Sequence, residues 1–537
     1  MKRVLVLLLA LVLVFTFFSC GKKEEAKEAE AAEEAAAEAE EPAEFIIVNG
    51  TEPETLDPHL VSGVPEHRIY MSIFEGLFTY DPETAEPVPG LAKSWEVSDD
   101  GTVYTFKLRE TTWSDGTPIT AETVKKSWLR MLDPETAAPY AWFPNMFLKG
   151  AAEYNSGEAG ADAVKIAAVD DYTFKMELVG PLPYVLGALP HYSFGVVPIH
   201  AIEEHGKEWT SPENFVGNGP FILEEWVPQD RVSCVPNEKY WDADTVSLDR
   251  VVYLPIDDNN TGYNMYINDE VDWMTTIPLD QMDQAKLRDD YQNAPYLGTY
   301  YYVVQNEREP FDDPRVRKAL AMSFDRKVLV EKITKGGQLP ATSMVPDMAG
   351  YPGIDGYGKD IERAKELLAE AGFPGGEGFP KFEILYNTSE AHQKVAEYIQ
   401  EQWAENLGIE CDLINQEWST YLSNRRQNQF DVARAGWIGD YQDPNTFLDM
   451  FISGAAMNGG LYSNEEYDEL INKAARMKPG KDRFETLAKA ERIFIEEDMG
   501  VIPIYTYTSN NMLDQSEWGG WYKNTMDYHP PKNIYKK

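Results

Sequence analysis

Arg425, Arg434 and Asp440 fall within fifteen residues of one another in this 537-residue chain. A guanidinium offers forked donors to a carboxylate, and a carboxylate accepts from an ammonium, so the trio suits a ligand charged oppositely at its two ends. Trp418, Tyr421, Trp437 and Tyr441 flank these charges, as in a cleft that joins apolar walls to a few fixed polar groups. A lone aspartate before a turn more often caps local backbone, so the pattern alone leaves the role of Asp440 open.

Catalytic signatures are missing. The chain has no GxSxG, HExxH, CxxC or glycine-rich phosphate loop, and its seven histidines are scattered. His200 and His205, five residues apart, do not share a helical face and read as solvated loop histidines rather than metal ligands. With 90 acidic residues, any carboxylate pair is uninformative about acid–base chemistry. The expectation is a protein that is not an enzyme and uses neither metal nor cofactor.

Lys2 and Arg3 precede an apolar run from Val4 to Phe18, which is short for a membrane span and has the flanks of an export signal. The run ends at Ser19, Cys20 and Gly21, so residues 1–20 read as a lipoprotein signal peptide and Cys20 as the lipidated first residue of the mature protein. Residues 21–44 are rich in Glu and Ala and read as a charged tether with little means of building a core. Of the net charge of −42, the signal carries +2 and the tether −7, leaving −37 for the body. Such acidity excludes nucleic acid and anionic head groups as partners of that body. Cys234 and Cys411 are far apart and read as core residues rather than a disulfide.

The elements that must position the charged trio are mixed. Strand-like alternation occurs at 102–108, 172–178, 220–226, 250–254 and 300–304. A helix is expected after Asp313 and Pro314, a second after a capping Ser389 up to Gly408, and a third from Ile361 to Ala371. About 490 residues beyond the signal and tether exceed one hydrophobic core, so an α/β protein of two or three domains is expected.

At this point longer segments carry a family resemblance. They are TLDPHLVSGVPEHRIYMSIFEGLFTYD (55–81), LAKSWEVSDDGTVYTFKLRETTWSDGTPITAETVKKSW (91–128), GNGPFILEEW (217–226), FDDPRVRKALAMSFDR (311–326) and NQEWSTYLSNRRQNQFDVARAGWIGDYQDP (415–444). In this order the chain resembles the extracytoplasmic solute-binding proteins of family 5, the oligopeptide-binding lipoprotein components of ABC importers.

The resemblance implies a periplasmic-binding-protein-like clamshell of two lobes, type II, in its three-domain peptide-binding variant. Residues 45–72, 198–297 and 508–537 would form a discontinuous first domain, 73–197 an inserted second, and 298–507 the second lobe. It implies that two lobes close over an extended peptide, whose main chain pairs with strand-like segments by β-augmentation. Asp440 would pair with the peptide ammonium, and Arg434, Arg425 and His392 would receive its carboxylate. Val64, Gly436 and Ile438 would offer main chain, while Trp418, Trp437, Tyr140 and Tyr507 would line the cleft. The implied partners are an oligopeptide, the permease of an ABC transporter, and the membrane through the lipid on Cys20. A monomer outside the cytoplasmic membrane is expected.

The chain departs from the pattern in two places. Where oligopeptide binders of this family carry a disulfide between hinge and ligand-binding turn, Gly298 and Ile438 stand here, and Ser62 and Val303 replace acidic cleft residues. Two rival readings remain: a binding protein of the same fold for an oligosaccharide or nickel complex, and a secreted cell-wall peptide hydrolase, for which no nucleophile or metal set is found.

Overall fold

Strand-forming runs from distant parts of the chain meet in one eleven-stranded mixed sheet. The computed structural model describes residues 42–455 and 457–537; Cys20, the signal peptide and tether residues 21–41 lie outside the described residues. In chain order the sheet contains β1 (Glu44–Val48), β2 (Phe221–Val227), β3 (Arg231–Pro236), β4 (Arg250–Leu254) and β5 (Trp273–Met274). It continues with β6 (Tyr291–Val304), β7 (Phe382–Asn387), β8 (Cys411–Gln416), β9 (Val432–Ile438) and β10 (Val501–Leu513). Spatially they run β2-β3-β4-β1-β5-β10-β6-β9-β7-β8, with Leu339–Pro340 paired on β10. All five strand-like alternations of the sequence are strands, three in this sheet and two, Val103–Leu108 and Thr173–Glu177, in a separate four-stranded sheet.

The large sheet has two halves. β1 lies parallel between β4 and β5, and β7 lies parallel between β8 and β9. Long antiparallel β6 and β10 belong to both halves, and their register is interrupted between the pairs Pro295–Thr508 and Thr299–Thr506. A second irregularity follows between Tyr300 and Tyr301, and such interruptions in strands shared by both halves are a natural place for two lobes to flex about each other.

Helices cover this frame. α1 (Val64–Ile73) starts with proline at its second position, and α2 (Pro314–Met322) is capped by Asp313, whose carboxylate accepts the Arg315 N–H at 2.8 Å. α3 (Ile361–Glu370) is capped by Asp360. α4 (Glu390–Leu407) ends at Gly408, whose φ of 70° takes the left-handed conformation that glycine tolerates. α5 (Trp418–Arg426) is capped by the Glu417 carboxylate.

Several sequence expectations need correction. The tether was expected to reach residue 44, yet Glu44 opens β1 and pairs with Arg250, because the Ala43 N–H is already held by Asp249 at 2.8 Å. Ser389 occupies the cap position of α4 without a side-chain bond; Glu390 in the first turn supplies the negative charge that complements the helix dipole. His200 and His205 are not in a loop but in the helix Ile199–His205, with His200 Nε2 2.8 Å from Asp115 Oδ2. Cys234 and Cys411, by contrast, are as the sequence reading has them: free and buried, on β3 and β8 near opposite ends of the sheet.

Glu491 ties the long loop after residue 340 to this frame. It is fully buried and accepts the Met344 and Val345 N–H groups at 2.9 and 2.8 Å and the Tyr351 hydroxyl at 2.7 Å. The Met344 carbonyl accepts in turn from the Thr299 hydroxyl of β6 at 2.8 Å, beside the register break. Burial pushes the Glu491 carboxyl up to about 7 from an ordinary 4.5. Because the folded value lies above the unfolded one, stability is fully present below about pH 4.5 and is lost as pH rises through 7. Denaturant unfolding should therefore show wild type losing about 2–3 kcal/mol more than Glu491→Gln between pH 5 and 8. Identical pH slopes for the two proteins would contradict this.

Candidate functional site

Between the two halves lies a cavity of about 380 Å³. All eleven residues that the resemblance implies line it: Asp440, Arg434, Arg425, His392, Trp437, Trp418, Gly436, Ile438, Val64, Tyr140 and Tyr507; Tyr441, also read from the sequence as a wall, is instead buried against Tyr184. Strand β9 is the spine of the site. Its residues alternate sides, and Gly439 donates to the Leu297 carbonyl on the β6 side at 2.8 Å, whereas the Arg434 carbonyl accepts the Tyr421 hydroxyl on the opposite side. By that alternation the main-chain groups of Arg434, Gly436 and Ile438 point away from β6. On that edge β7 pairs only with Val432 and Ala433, so Gly436 and Ile438 turn unpaired N–H and C=O groups to the cavity.

Just past the strand, Asp440 is buried at 6 % exposure. Its Oδ1 lies 3.3 Å from His191 Nε2, and its Oδ2 has no partner among the described residues. Burial raises its carboxyl well above the usual range and lowers His191 to about 3, so the imidazole beside it is neutral. Tyr80, Tyr140, Tyr192 and Tyr528 surround the pair. A buried carboxyl without a counter-ion favours its protonated form, and a cation brought beside it would favour the carboxylate.

Arg434 lies six residues back along β9. Its Nη2 donates to the Tyr507 hydroxyl at 3.0 Å and its Nη1 to Asn387 Oδ1 at 3.3 Å, its guanidinium lies over the Tyr300 ring, and its Nε is buried without an acceptor. Arg425 leans over the Tyr421 ring at 5.9 Å, also with an unpartnered Nε. His392 is held well below its ordinary value by burial and by Arg434, so it offers a neutral imidazole, 3.4 Å from the Tyr300 hydroxyl. Neither arginine makes an ion pair among the described residues.

Val64 departs from the expected strand-like pairing. It is the first residue of α1, so the N–H it presents is one of the first-turn donors that a helix leaves unsatisfied. Gly298 and Ile438, which stand in place of a disulfide, are direct partners across β6 and β9. The Ile438 side chain occupies the space that a Cβ on residue 298 would take, with Cδ1 only 2.4 Å from that position.

The aromatic walls meet across the two lobes. Tyr140 stacks on Trp437 at 6.3 Å and 8°, and Tyr184 on Tyr441 at 4.7 Å and 9°. Arg483, paired with Asp443 at 2.7 Å, also covers Tyr184. These contacts hold the lobes together. His191, Tyr192, Tyr528 and Asn387 also line the cavity and were missed from the sequence. Each is an isolated residue brought in by long-range topology, with no local spacing to mark it.

Comparison with known proteins agrees with this architecture. Residues 86–459 match the model of the bacterial extracellular solute-binding proteins, family 5. The periplasmic oligopeptide-binding protein OppA of Salmonella typhimurium is 38% identical over 506 residues, covering 91% of each chain. The crystal structure of Haemophilus influenzae OppA in complex with RPPGFSPFR superposes with a TM-score of 0.88 at 33% identity, over 93% of this chain and 99% of that one. Against the murein tripeptide-binding protein MppA in its unliganded open form, 34% identical and covered to 98%, with 92% of this chain matched, the TM-score is 0.64. The fold is the two-lobed type II binding-protein fold, in an arrangement closer to the peptide complex than to the open form.

At Gly436 an added Cβ would fall 2.3 Å from the Tyr507 hydroxyl and 3.1 Å from Arg434 Nη2. Gly436→Ala should therefore displace both groups and weaken binding of a carboxylate-ended ligand about tenfold by calorimetry, roughly 1.4 kcal/mol, with an unchanged circular dichroism spectrum. Unaltered affinity would remove Arg434 and Tyr507 from the ligand's carboxylate.

Proposed function

Because the chain belongs to the bacterial extracellular solute-binding proteins of family 5, we propose that it binds oligopeptides outside the cytoplasmic membrane and delivers them to the permease of an ABC transporter. One observation carries this reading. A strand edge with unpaired main chain runs from a buried guanidinium without a counter-ion at Arg434 to a buried carboxylate without one at Asp440.

An extended peptide supplies what each part lacks. Its ammonium meets Asp440, its carboxylate meets Arg434 with Arg425 and the neutral His392 alongside, and its backbone pairs with Gly436 and Ile438. Val64 adds a first-turn donor from the facing lobe, and Trp418, Trp437, Tyr140 and Tyr507 enclose the side chains. Main-chain pairing is common to all peptides, so affinity does not require a particular sequence. Six residues of extended chain from Arg434 to Asp440 span about 20 Å, which suits a ligand of roughly three to five residues. Affinity near micromolar, about −8 kcal/mol, allows later release.

A neutral sugar or a nickel complex without an ammonium and a carboxylate end would leave Asp440 and Arg434 without counter-ions. The remaining parts of the proposal are the lipid on Cys20 as membrane anchor, the monomeric state, the absence of catalysis, and the three-domain division 45–72 with 198–297 and 508–537, 73–197, and 298–507. The division is supported by the register break beside residues 297 and 508. A tethered receptor stays near its permease, which raises its effective concentration there.

Titration of one short peptide in free and N-acetylated forms tests the ammonium pairing. Removing one partner of a buried pair costs on the order of 3–5 kcal/mol. Wild type should lose about a hundredfold or more in affinity on acetylation, and Asp440→Asn should lose affinity for the free peptide. Equal binding of both forms would show that Asp440 is misassigned.

A further inference from the structure

Four arginines line the cavity, and one of them is neutralised by the protein itself. Arg426 Nη2 lies 3.0 Å from Glu54 Oε2 and donates to Ser62 Oγ at 2.6 Å. Arg68, Arg425 and Arg434 make no ion pair, and they are the arginines whose Nε is buried without an acceptor among the described residues. Arg425 and Arg434 are neighbours that share Tyr421 and face the ligand's carboxylate. Arg68 has different surroundings.

Arg68 projects from α1 one turn after Val64, so the two residues share a helix face. Its guanidinium lies 5.6 Å from the Trp273 ring centre, and Nη1 reaches the Asn49 carbonyl only at 3.4 Å. Beside it end the three adjacent parallel strands β4, β1 and β5. Residues just beyond their carboxyl ends, Asn49, Gly50, Thr51, Asn259 and Thr275, line the cavity. The carboxyl ends of parallel strands in an open sheet are where ligands settle, and this one combines neutral polar groups with a guanidinium. Asp257 on the same wall is exposed and forms no ion pair with Arg68. Asp527, whose charge Arg68 also feels, already accepts from Asn511 and His529 at 3.0 Å each.

We infer that Arg68 reads an acidic side chain, so that the preferred ligands are short peptides carrying Asp or Glu. The inference rests on the peptide reading above and adds the sign of the side chain to it. A peptide with neutral side chains brings one ammonium for Asp440 and one carboxylate for the arginines, which leaves half-buried Arg68 with no carboxylate in contact as the lobes close, Asp527 acting on it only at longer range. A glutamate side chain supplies that direct partner through a forked pair.

Calorimetry with tetra-alanine and its single-glutamate and single-lysine variants, on wild type, R68Q and R68K, tests this. At one peptide position glutamate should tighten binding about tenfold over alanine, and lysine should weaken it. R68Q should bring the glutamate-to-alanine ratio to about one, and R68K should restore part of it, with all three proteins folded by circular dichroism. If tetra-alanine binds and no glutamate variant binds better, or if R68Q keeps the full gain, the role of Arg68 is overturned while the peptide reading stands. If no peptide of the set binds, the peptide reading itself fails.

Discussion

Two ionisable groups without counter-ions, held where water is scarce, set the chemistry of this cleft. Asp440 faces a neutral His191, and Arg434 faces tyrosine hydroxyls and an asparagine rather than a carboxylate. Burying such groups without partners costs several kcal/mol, so bringing the lobes together without a ligand is unfavourable. In the binding mode proposed above, a zwitterionic chain laid along β9 would repay that cost at both ends. Ligand binding and lobe closure are thereby one equilibrium, because the ligand's differential affinity for the closed state is what shifts the population.

The rest of the structure places those charges. β6 and β10 carry both halves of the sheet and interrupt their pairing at the lobe junction, while Tyr140–Trp437 and Tyr184–Tyr441 stacking supplies adhesion on closure. Gly436 lets Tyr507 and Arg434 approach the strand. Ile438 folds over Gly298 as a packing contact between cross-strand partners. Packing of this kind fixes the turn less rigidly than a disulfide but asks nothing of the redox state.

Much of the site was legible in the sequence because its residues are concentrated. Arg425, Arg434, Trp437 and Asp440 lie on one helix–strand–turn passage, and family resemblance supplied Gly436 and Ile438 within it and Val64, Tyr140, His392 and Tyr507 from elsewhere. Strand alternation at 250–254 matched its element from end to end, and the Asp313–Pro314 start and Gly408 stop framed their helices, because caps and period are local physics. What stayed hidden is non-local. His191 reaches Asp440 only through tertiary folding, and Arg68 looks like any solvent-facing helix residue until its Nε is found buried beside three strand ends. Histidines 200 and 205 were misread as loop residues because five-residue spacing conceals a short helix.

Native mass spectrometry of the protein purified without denaturation tests the central claim most directly, by asking what the cleft holds. The account predicts a heterogeneous set of bound masses that fragment as short peptides with free amino and carboxyl ends. A single uniform mass that fragments as a sugar, or as any ligand lacking both charged ends, would contradict it.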